Sequence, residues 1–240
     1  MSIQNTGEKP AIDKSAVRNA ATVIVLRDRM TEPAILMGQR GAKAAFMPNK
    51  FVFPGGAVDA DDSAISLATP LNELCHSRLA DDSPDGLQQA LAVAAIRELW
   101  EETGLVLGTS GTWNSEPTQD WTGFADTGHL PAAGDLQFVF RALTPPGRPR
   151  RFDARFFLVD AGAIQTDLDD FTHASDELSH LQWIKLSDAR NFDLPFITEV
   201  VLAEVAGRVT DWAAPDSVPF FRNGAEESHF LRLHGRPMTD

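Results

Sequence analysis

The sequence predicts an α/β (α+β) domain, and three observations lead to this prediction. Apolar runs rich in β-branched and aromatic residues indicate strands at 21–26, 136–143 and 152–159. Apolar residues that repeat at helical spacing indicate an amphipathic helix at 87–103, between the first two of these strands. The 240-residue chain is 43% hydrophobic, which is enough to bury the core of one large domain.

The first third of the chain is predicted to begin the sheet. The expected elements are a turn at 28–33, a hairpin strand at 34–39, a short strand at 51–53 and a short helix that starts at Thr69-Pro70. Pro54-Gly55-Gly56 is interpreted as a turn that needs the backbone freedom of glycine. Such a turn lets backbone groups approach a ligand or a metal ion closely.

The rest of the chain is predicted to complete the sheet and to cover it. The expected elements are a strand at 105–107, a long loop at 108–134, a strand at 181–184, a short helix at 186–190 and a terminal helix at 196–208. A loop as long as 108–134 inside a compact domain is often a binding element. The aromatic residues after position 211 indicate that the tail packs against the domain.

Composition excludes several classes of protein. The formal net charge of −13 argues against a nucleic acid as the main partner, although a small phosphorylated ligand needs only a local positive field. The single cysteine, Cys75, excludes an intrachain disulfide framework and a cysteine-based zinc site. The apolar run at 20–26 is too short to span a bilayer. We therefore expect a cytoplasmic protein with no membrane partner.

The segment Arg97-Glu98-Leu99-Trp100-Glu101-Glu102-Thr103-Gly104 crowds three carboxylates at the end of the predicted helix. Each helical residue advances by about 100°, so the three glutamates share an arc of roughly 100° and repel one another. The negative end of the helix dipole at Gly104 also disfavours them. A divalent cation such as Mg²⁺ or Mn²⁺ would reverse this penalty. A solvated acidic helix end is the alternative interpretation of the segment.

This segment, together with the preceding Phe53-Pro54-Gly55-Gly56, resembles the Nudix box. Arg97-Glu98-Leu99-Trp100-Glu101-Glu102-Thr103-Gly104-Leu105 matches the second half of the box at every fixed position, and Gly56 supplies its first glycine. Asp62 stands where the pattern has glutamate. Residues 63–96 then separate Asp62 from Arg97, where the pattern has seven residues. The box is therefore split by an insertion.

An insertion inside the box is similar to that of the Nudix subgroup that cleaves coenzyme A and acyl-coenzyme A. Arg40 followed by Phe46-Met47-Pro48, and Arg150-Arg151-Phe152-Asp153-Ala154-Arg155, also look like this subgroup. The resemblance implies the Nudix fold, a mixed β-sheet sandwiched between helices, with a helical insertion inside the box. A single domain over 1–240 follows, with the insertion at about 63–96 and a C-terminal extension at about 209–240.

The resemblance also implies roles for the residues of the box. Glu98 and Glu102 would be the principal Mg²⁺ or Mn²⁺ ligands, and Glu101 would be a further ligand or share proton abstraction. The Gly55 carbonyl could complete the coordination, and Arg97 would orient a glutamate by a charge-assisted hydrogen bond. Glu177, before the strand at 181–184, is a candidate for a late ligand or base. A loop carboxylate without a role is the alternative for Glu177.

Several residues are candidates for binding the substrate. Arg40, Arg151 and Arg155 could form a positive patch for the phosphates of coenzyme A, with ordinary surface cations as the alternative. Phe46 could stack on adenine or pack inward, and the backbone at Gly56 could approach the ligand. Residues 63–86 could cover an acyl or pantetheine arm, form an oligomer contact such as a homodimer, or be simple elaboration.

The sequence as a whole therefore predicts an enzyme that hydrolyses a diphosphate linkage in a small-molecule nucleotide substrate. Coenzyme A or its acyl esters is the first candidate, giving a 4′-phosphopantetheine species and adenosine 3′,5′-bisphosphate. ADP-ribose, a dinucleotide or a nucleoside triphosphate is the alternative substrate. A non-catalytic binding module on the same fold is the alternative from another class, and the intact Glu98, Glu101 and Glu102 argue against it.

Overall fold

The structure is a computed structural model that describes residues 16–44 and 46–235. Its strands are β1 (Val17–Arg27), β2 (Ala34–Arg40), β3 (Phe51–Val52), β4 (Gly55–Ala57), β5 (Gly108–Ser110), β6 (His129–Pro131), β7 (Gln137–Leu143), β8 (Arg151–Asp160), β9 (Leu178–Lys185), β10 (Val218–Asn223) and β11 (Ser228–Leu233). Its helices are α1 (Glu73–Ala80), α2 (Leu87–Thr103), α3 (Gln119–Asp126) and α4 (Phe196–Ala206), with 3₁₀ turns at Ala60–Ala64, Ala161–Ala163 and Ala189–Asn191. The parts of the predicted domain at 1–15, 45 and 236–240 lie outside the described residues.

Nine of these strands form one mixed sheet, which confirms the predicted fold class. The strand order is β11-β10-β7-β8-β1-β2-β3, with β4 paired to β1 and β9 paired to β2. The central strand β1 is parallel to β8 over ten residue pairs and antiparallel to both β2 and β4. The strands β5 and β6 form a separate two-stranded sheet.

Helices cover both faces of the large sheet, and β1 shows why. Val23 and Val25 of β1 face a core that contains the apolar side of α2, whereas Ile24 and Leu26 face a second core that contains α4. Side chains alternate between the two faces of a strand, so a strand that is apolar throughout must be buried on both. The sheet is therefore sandwiched between helices, as expected.

The helix α2 has the predicted bounds because glycines stand at both ends. Gly86 and Gly104 adopt left-handed backbone conformations, with φ of 81° and 75°, and the Gly104 amide donates to the Trp100 carbonyl at 2.7 Å. Only glycine adopts this conformation without a steric penalty.

Several predicted elements differ from the structure. Gly55 and Gly56 lie in strand β4 and not in a turn, because β4 pairs with β1 from Ala20 to Thr22. The short helix starts after Asn72, whose side chain accepts from the Cys75 amide, and not at Thr69-Pro70. Residues 105–107 lie outside any ladder apart from an isolated bridge. The predicted loop at 108–134 contains β5, α3 and β6, which pack through Trp121 and Phe124.

The C-terminal tail completes the far edge of the sheet. Strand β10 pairs in parallel with β7, and β11 pairs antiparallel with β10. The buried residues Val218, Phe220 and Leu233 join the core that contains α2, which confirms that the tail packs on the domain. No helix among the described residues is both long and apolar enough to cross a bilayer.

Replacement of Gly55 by alanine is expected to destabilise the fold. A Cβ atom at Gly55 would lie 2.5 Å from the Ala21 carbonyl oxygen, and the backbone there has φ of +154°. We expect Gly55→Ala to lower the free energy of unfolding by about 2 kcal/mol or more, because strand β4 must move away from β1. Urea unfolding followed by circular dichroism measures the change.

The matched control for this substitution is Gly41→Ala. A Cβ atom at Gly41 meets nothing within 4 Å. We expect Gly41→Ala to change the free energy of unfolding by less than about 0.5 kcal/mol. Equal losses in the two variants would contradict the assignment of a close β4–β1 approach at Gly55.

Candidate active site

The C-terminal half of α2 carries the three glutamates into the fold rather than into solvent. Glu102 is 1% exposed and Glu98 is 9% exposed, while Glu101 is partly exposed. The helix packs against β1 and β4, so these side chains lie beside the paired glycines of β4. The acidic helix end is therefore a buried cluster and not a solvated face.

Arg97 and Asp62 form the central contact of this cluster. Arg97 Nε donates to Asp62 Oδ1 at 2.9 Å, and Arg97 Nη2 donates to Asp62 Oδ2 at 3.0 Å. Both side chains are buried, which makes this a two-point charge-assisted pair. The pair joins the 3₁₀ turn at Ala60–Ala64 to α2, although Asp62 and Arg97 are 35 residues apart in sequence.

The remaining donors of Arg97 orient the glutamates. Nη1 donates to Glu98 Oε1 at 2.9 Å and to Glu101 Oε2 at 3.2 Å, and Nη2 also donates to the Ala57 carbonyl at 3.0 Å. Burial alone would lower the pKa of the Arg97 guanidinium, but the hydrogen bonds that it donates to Asp62 and the charges of the carboxylates raise it. Arg97 is therefore a permanent cation that positions two carboxylates.

The glycines of β4 make room for the other carboxylates. The Gly55 amide donates to Glu102 Oε2 at 2.7 Å, whereas Glu102 Oε1 is buried and has no hydrogen-bond partner within residues 16–44 and 46–235. A Cβ atom at Gly56 would overlap the carboxylate of Glu98, so only glycine allows this approach. A buried oxygen without a partner is costly unless a ligand satisfies it.

The protonation of these glutamates reflects their burial. Loss of solvent raises the pKa of Glu98 to about 7, against the lowering effect of Arg97. Loss of solvent and the charge of Glu98 raise the pKa of Glu102 to about 8. Burial also raises the pKa of Glu101. The protein without a cation therefore stores unfavourable charge at this helix end.

A divalent cation fits these residues. Glu98 and Glu102 supply hard oxygens, and Glu102 Oε1 has no protein partner to lose. In residues 16–44 and 46–235, no group of three or more acidic, histidine or cysteine side chains is already gathered as a metal site. The physical reason is that Glu98 and Glu101 turn toward Arg97 while Glu102 turns toward the Gly55 amide.

Glu177 and Arg40 lie near the same centre. Glu177 is exposed on the loop before β9, and its charge helps to raise the pKa of all three box glutamates. Arg40 Nη2 lies 3.4 Å from the Gly55 carbonyl and its charge favours ionised Glu102. The Gly55 carbonyl, expected as a metal ligand, therefore has a cationic neighbour.

A cavity of about 890 Å³ opens beside the paired glycines, on the face of the sheet that α4 covers. Arg40, Phe46, Gly55 and Gly56 line it, so four predicted site residues share one space. The Phe46 ring packs edge-on against Phe152, with centroids 5.2 Å apart. Phe46 therefore belongs to the wall of the cavity, and its stacking on adenine stays a prediction.

Two predicted cations do not line this cavity, which corrects the expectation of a patch built from them. Arg155 is 1% exposed and points to the opposite face of β8, where it donates to Asn19 Oδ1, the Asp153 carbonyl and Ser83 Oγ. Burial lowers its pKa to about 10. Arg151 Nε donates to the Thr144 carbonyl. Side chains alternate along β8, so only its even-numbered residues face the cavity.

Other residues that line the cavity were not predicted from the sequence. Arg148, in the proline-rich segment between β7 and β8, lines the cavity in the place expected for Arg151. Ala20, Ala142 and Ala154 form part of its floor. Alanine is depleted in strands, so three alanines within strands were the available signal.

The fold and the site together define a Nudix-type protein: a mixed sheet between helices, with the glutamates of the box helix held against paired glycines. The chain is 31% identical over 186 residues to a Caenorhabditis elegans protein named putative nudix hydrolase 7, covering 71% of this chain and 52% of that protein. The crystal structure of a NUDIX hydrolase from Alicyclobacillus acidocaldarius matches with a TM-score of 0.59 and 26% identity, covering 82% of this chain and 96% of the other. The chain belongs to the Nudix hydrolase superfamily.

A second curated relative matches over a shorter region. The chain is 31% identical over 106 residues to the Xenopus laevis acyl-coenzyme A diphosphatase NUDT19, which covers 35% of this chain and 28% of that protein. The chain thus spans about half or less of the length of these curated relatives. No protein-family model matches the chain.

Breaking the Asp62–Arg97 pair is expected to be strongly destabilising. Asp62→Asn leaves the buried Arg97 charge without its two-point partner, which costs about 3–5 kcal/mol. The control is Asp59→Asn, because Asp59 is exposed and lies 3.6 Å from Arg97 Nη2, a contact worth about 1 kcal/mol at most. Denaturant unfolding of both variants compares them, and similar small losses would contradict the central role of the pair.

The raised pKa values of Glu98 and Glu102 predict how stability depends on pH. The native carboxyls bind protons more tightly than the unfolded ones, so their contribution to stability is complete below about pH 4.5 and is lost as the pH rises through 7 to 8. In a chelator, we expect the melting temperature to fall by several degrees over that range. Mg²⁺ or Mn²⁺ should restore more at pH 8 than at pH 6, because protons compete with the cation.

The control for this pH dependence is Glu102→Gln, which removes one of the two titrating groups. Its melting temperature in chelator should fall less steeply with pH, and its response to Mg²⁺ at pH 8 should be smaller. An unchanged pH dependence and an unchanged response to the cation would contradict the assignment to Glu102.

Proposed function

We propose that this protein is a metal-dependent hydrolase of a diphosphate linkage in a nucleoside diphosphate derivative. The single observation that carries the proposal is the buried Asp62–Arg97 pair, which holds the glutamates of α2 beside Gly55 and Gly56. A fold that needed only a stable helix end would not bury Glu98 and Glu102 against each other's charge. The arrangement supports a role that uses this charge.

In this proposal Glu98 and Glu102 hold Mg²⁺ or Mn²⁺, with Glu101 and the Gly55 carbonyl as further ligands. When bound, the cation neutralises the diphosphate, polarises its phosphoryl oxygens and lowers the pKa of an attacking water. Arg97 does not contact the substrate but fixes the rotamers of Glu98 and Glu101 through Nη1. Arg40, whose guanidinium lies at the glycine end of the cavity, binds the substrate phosphates.

Two glutamates are candidates for the general base. Glu101 is the least buried of the three box glutamates and can reach water, although Arg97 holds one of its oxygens at 3.2 Å. Glu177 is exposed, and among the described residues its side chain forms no hydrogen bond with a glutamate of the box. It can therefore approach a bound substrate. Loss of Glu101 alone would affect both metal affinity and kcat, whereas loss of Glu177 alone would lower kcat.

Coenzyme A or an acyl-coenzyme A is the proposed substrate. The cavity beside the glycines is lined mainly by apolar side chains, which suits a pantetheine or acyl arm better than a second nucleotide. The partial match to an acyl-coenzyme A diphosphatase supports the same class. ADP-ribose, a dinucleotide or a nucleoside triphosphate is the second candidate substrate, because the box alone recognises only a diphosphate.

The test is product analysis of a substrate panel. Purified protein with Mg²⁺ or Mn²⁺ is incubated with coenzyme A, acyl-coenzyme A, ADP-ribose and dinucleotides, and the products are identified by mass. We expect adenosine 3′,5′-bisphosphate and a 4′-phosphopantetheine species from the coenzyme A group. Preferred turnover of ADP-ribose or a dinucleotide would overturn the substrate assignment, and no turnover of any compound would favour a binding module.

Substitution of the proposed ligands tests the site itself. We expect Glu98→Gln and Glu102→Gln each to lower kcat by about 10² to 10⁴-fold, because each removes a carboxylate that holds the cation. Glu73→Gln is the matched control, since Glu73 is exposed at the start of α1 and lies outside the cluster. Full activity in Glu98→Gln would contradict the proposed metal site.

A further inference from the structure

The cavity extends far beyond the glycines, across five strands of the sheet. Its floor follows one register row, which begins beside Gly55 and Gly56 of β4 and in which Ala20 pairs with Ala154, Ala154 with Ala142, and Ala142 with Phe221. Neighbouring strands lie about 4.8 Å apart, so this row runs about 19 Å from β4 to β10. A diphosphate at the glycines would occupy only one end of it.

The middle of the cavity is mostly apolar, although polar side chains such as Thr144, Arg148 and Thr198 also line the cavity. Its floor there consists of Ala142, Ala154 and Phe156, and its walls include Pro145, Phe152 and Leu194. A nucleoside requires hydrogen-bond partners, and these side chains have none to give. Alanine side chains project only a short distance from the sheet. They therefore leave a volume of about 890 Å³ between the sheet and the segments that cover it.

Three aromatic rings continue the apolar surface out of the far end. Phe196 and Phe221 both line the cavity, with ring centroids 6.4 Å apart. Phe221 in turn contacts Phe230 on the edge strand β11 at 6.3 Å. Phe196 is 68% exposed and Phe230 is 54% exposed. Three adjoining aromatic rings at a cavity mouth form a patch and not a scatter of single exposed residues.

We infer that this cavity and the track formed by Phe196, Phe221 and Phe230 bind the acyl chain of the substrate and make the enzyme selective for long-chain acyl esters. The inference rests on the proposed function and deepens it by naming the part of the substrate that the cavity selects. The diphosphate lies at the Gly55–Gly56 end, the pantetheine arm crosses β1 and β8, and the acyl chain continues over Ala142 to Phe230. Each methylene removed from water favours binding by up to about fourfold.

The experiment compares kcat/KM for coenzyme A, acetyl-coenzyme A, octanoyl-coenzyme A and palmitoyl-coenzyme A, each below its micelle concentration. We expect kcat/KM to rise with chain length in the wild-type protein. Ala142→Leu fills the far part of the cavity and should lower kcat/KM for octanoyl- and palmitoyl-coenzyme A by about tenfold or more, while that for free coenzyme A changes less than about twofold. Phe230→Ser should lower only the palmitoyl value.

Two control variants match these substitutions. Ala214→Leu adds the same side chain at an exposed position outside the cavity, and Met30→Ser removes an exposed apolar side chain of similar size that is 70% exposed. Both should leave the chain-length preference unchanged. Equal turnover of all esters in wild type, or equal loss for all substrates in Ala142→Leu with its fold intact by circular dichroism, would overturn the inference.

A binding measurement separates this inference from the proposed function. Decanoate binding to the wild-type protein is measured by calorimetry, without any diphosphate present. Binding that is lost in Ala142→Leu supports the acyl site even if no compound is hydrolysed. Hydrolysis of coenzyme A without binding of decanoate would leave the proposed function standing and overturn the acyl site. A dimer that Phe230→Ser separates, with no change in chain-length preference, would assign the track to a second copy of the chain and also overturn it.

Discussion

The site depends on one buried contact, the two-point pair of Arg97 with Asp62. Arg97 connects the site because its guanidinium donates five hydrogen bonds. Their acceptors are Asp62, Glu98, Glu101 and the Ala57 carbonyl. A buried pair is worth little unless every donor is satisfied, and here each nitrogen of the guanidinium has an acceptor. The pair ties the 3₁₀ turn at Ala60–Ala64 to the end of α2, so it sets the position of strand β4 relative to the glutamates.

The carboxylates of Glu98 and Glu102 lie close together beside this pair, in a site where their negative charges are costly. Glu102 has one oxygen on the Gly55 amide and one without a partner, and Glu98 presses against Gly56 where no side chain would fit. Burial raises the pKa of Glu98 to about 7, and burial together with the charge of Glu98 raises the pKa of Glu102 to about 8. A cation bound there would supply the counter-charge that these buried carboxyls lack, once Glu98 turns from Arg97 toward it.

The sequence predicts the parts of this arrangement that depend on the spacing of neighbouring residues. The bounds of α2 followed from apolar spacing and from Gly104, and the acidic cluster followed from three glutamates on one arc. It could not recover what tertiary pairing decides. Gly55 and Gly56 look like a turn in isolation but form a strand because β1 lies beside them. Arg155 resembles a surface cation, yet the alternation of β8 turns it toward Asn19 and Ser83 and leaves Arg148 to line the cavity.

The parallel pairing of β1 with β8 has a consequence for how the chain is made. Val17 pairs with Arg151 and Leu26 with Asp160, so the centre of the sheet joins segments separated by more than half of the chain. Contacts between such distant segments are slow to form, because a long loop must close first. During synthesis, β1 and α2 emerge well before β8, so the edge of β1 that pairs with β8 has no strand beside it until residues 151–160 have been made. The edge of β1 therefore stays open to pairing with other strands until translation has passed residue 160, and an open strand edge favours misassembly and aggregation.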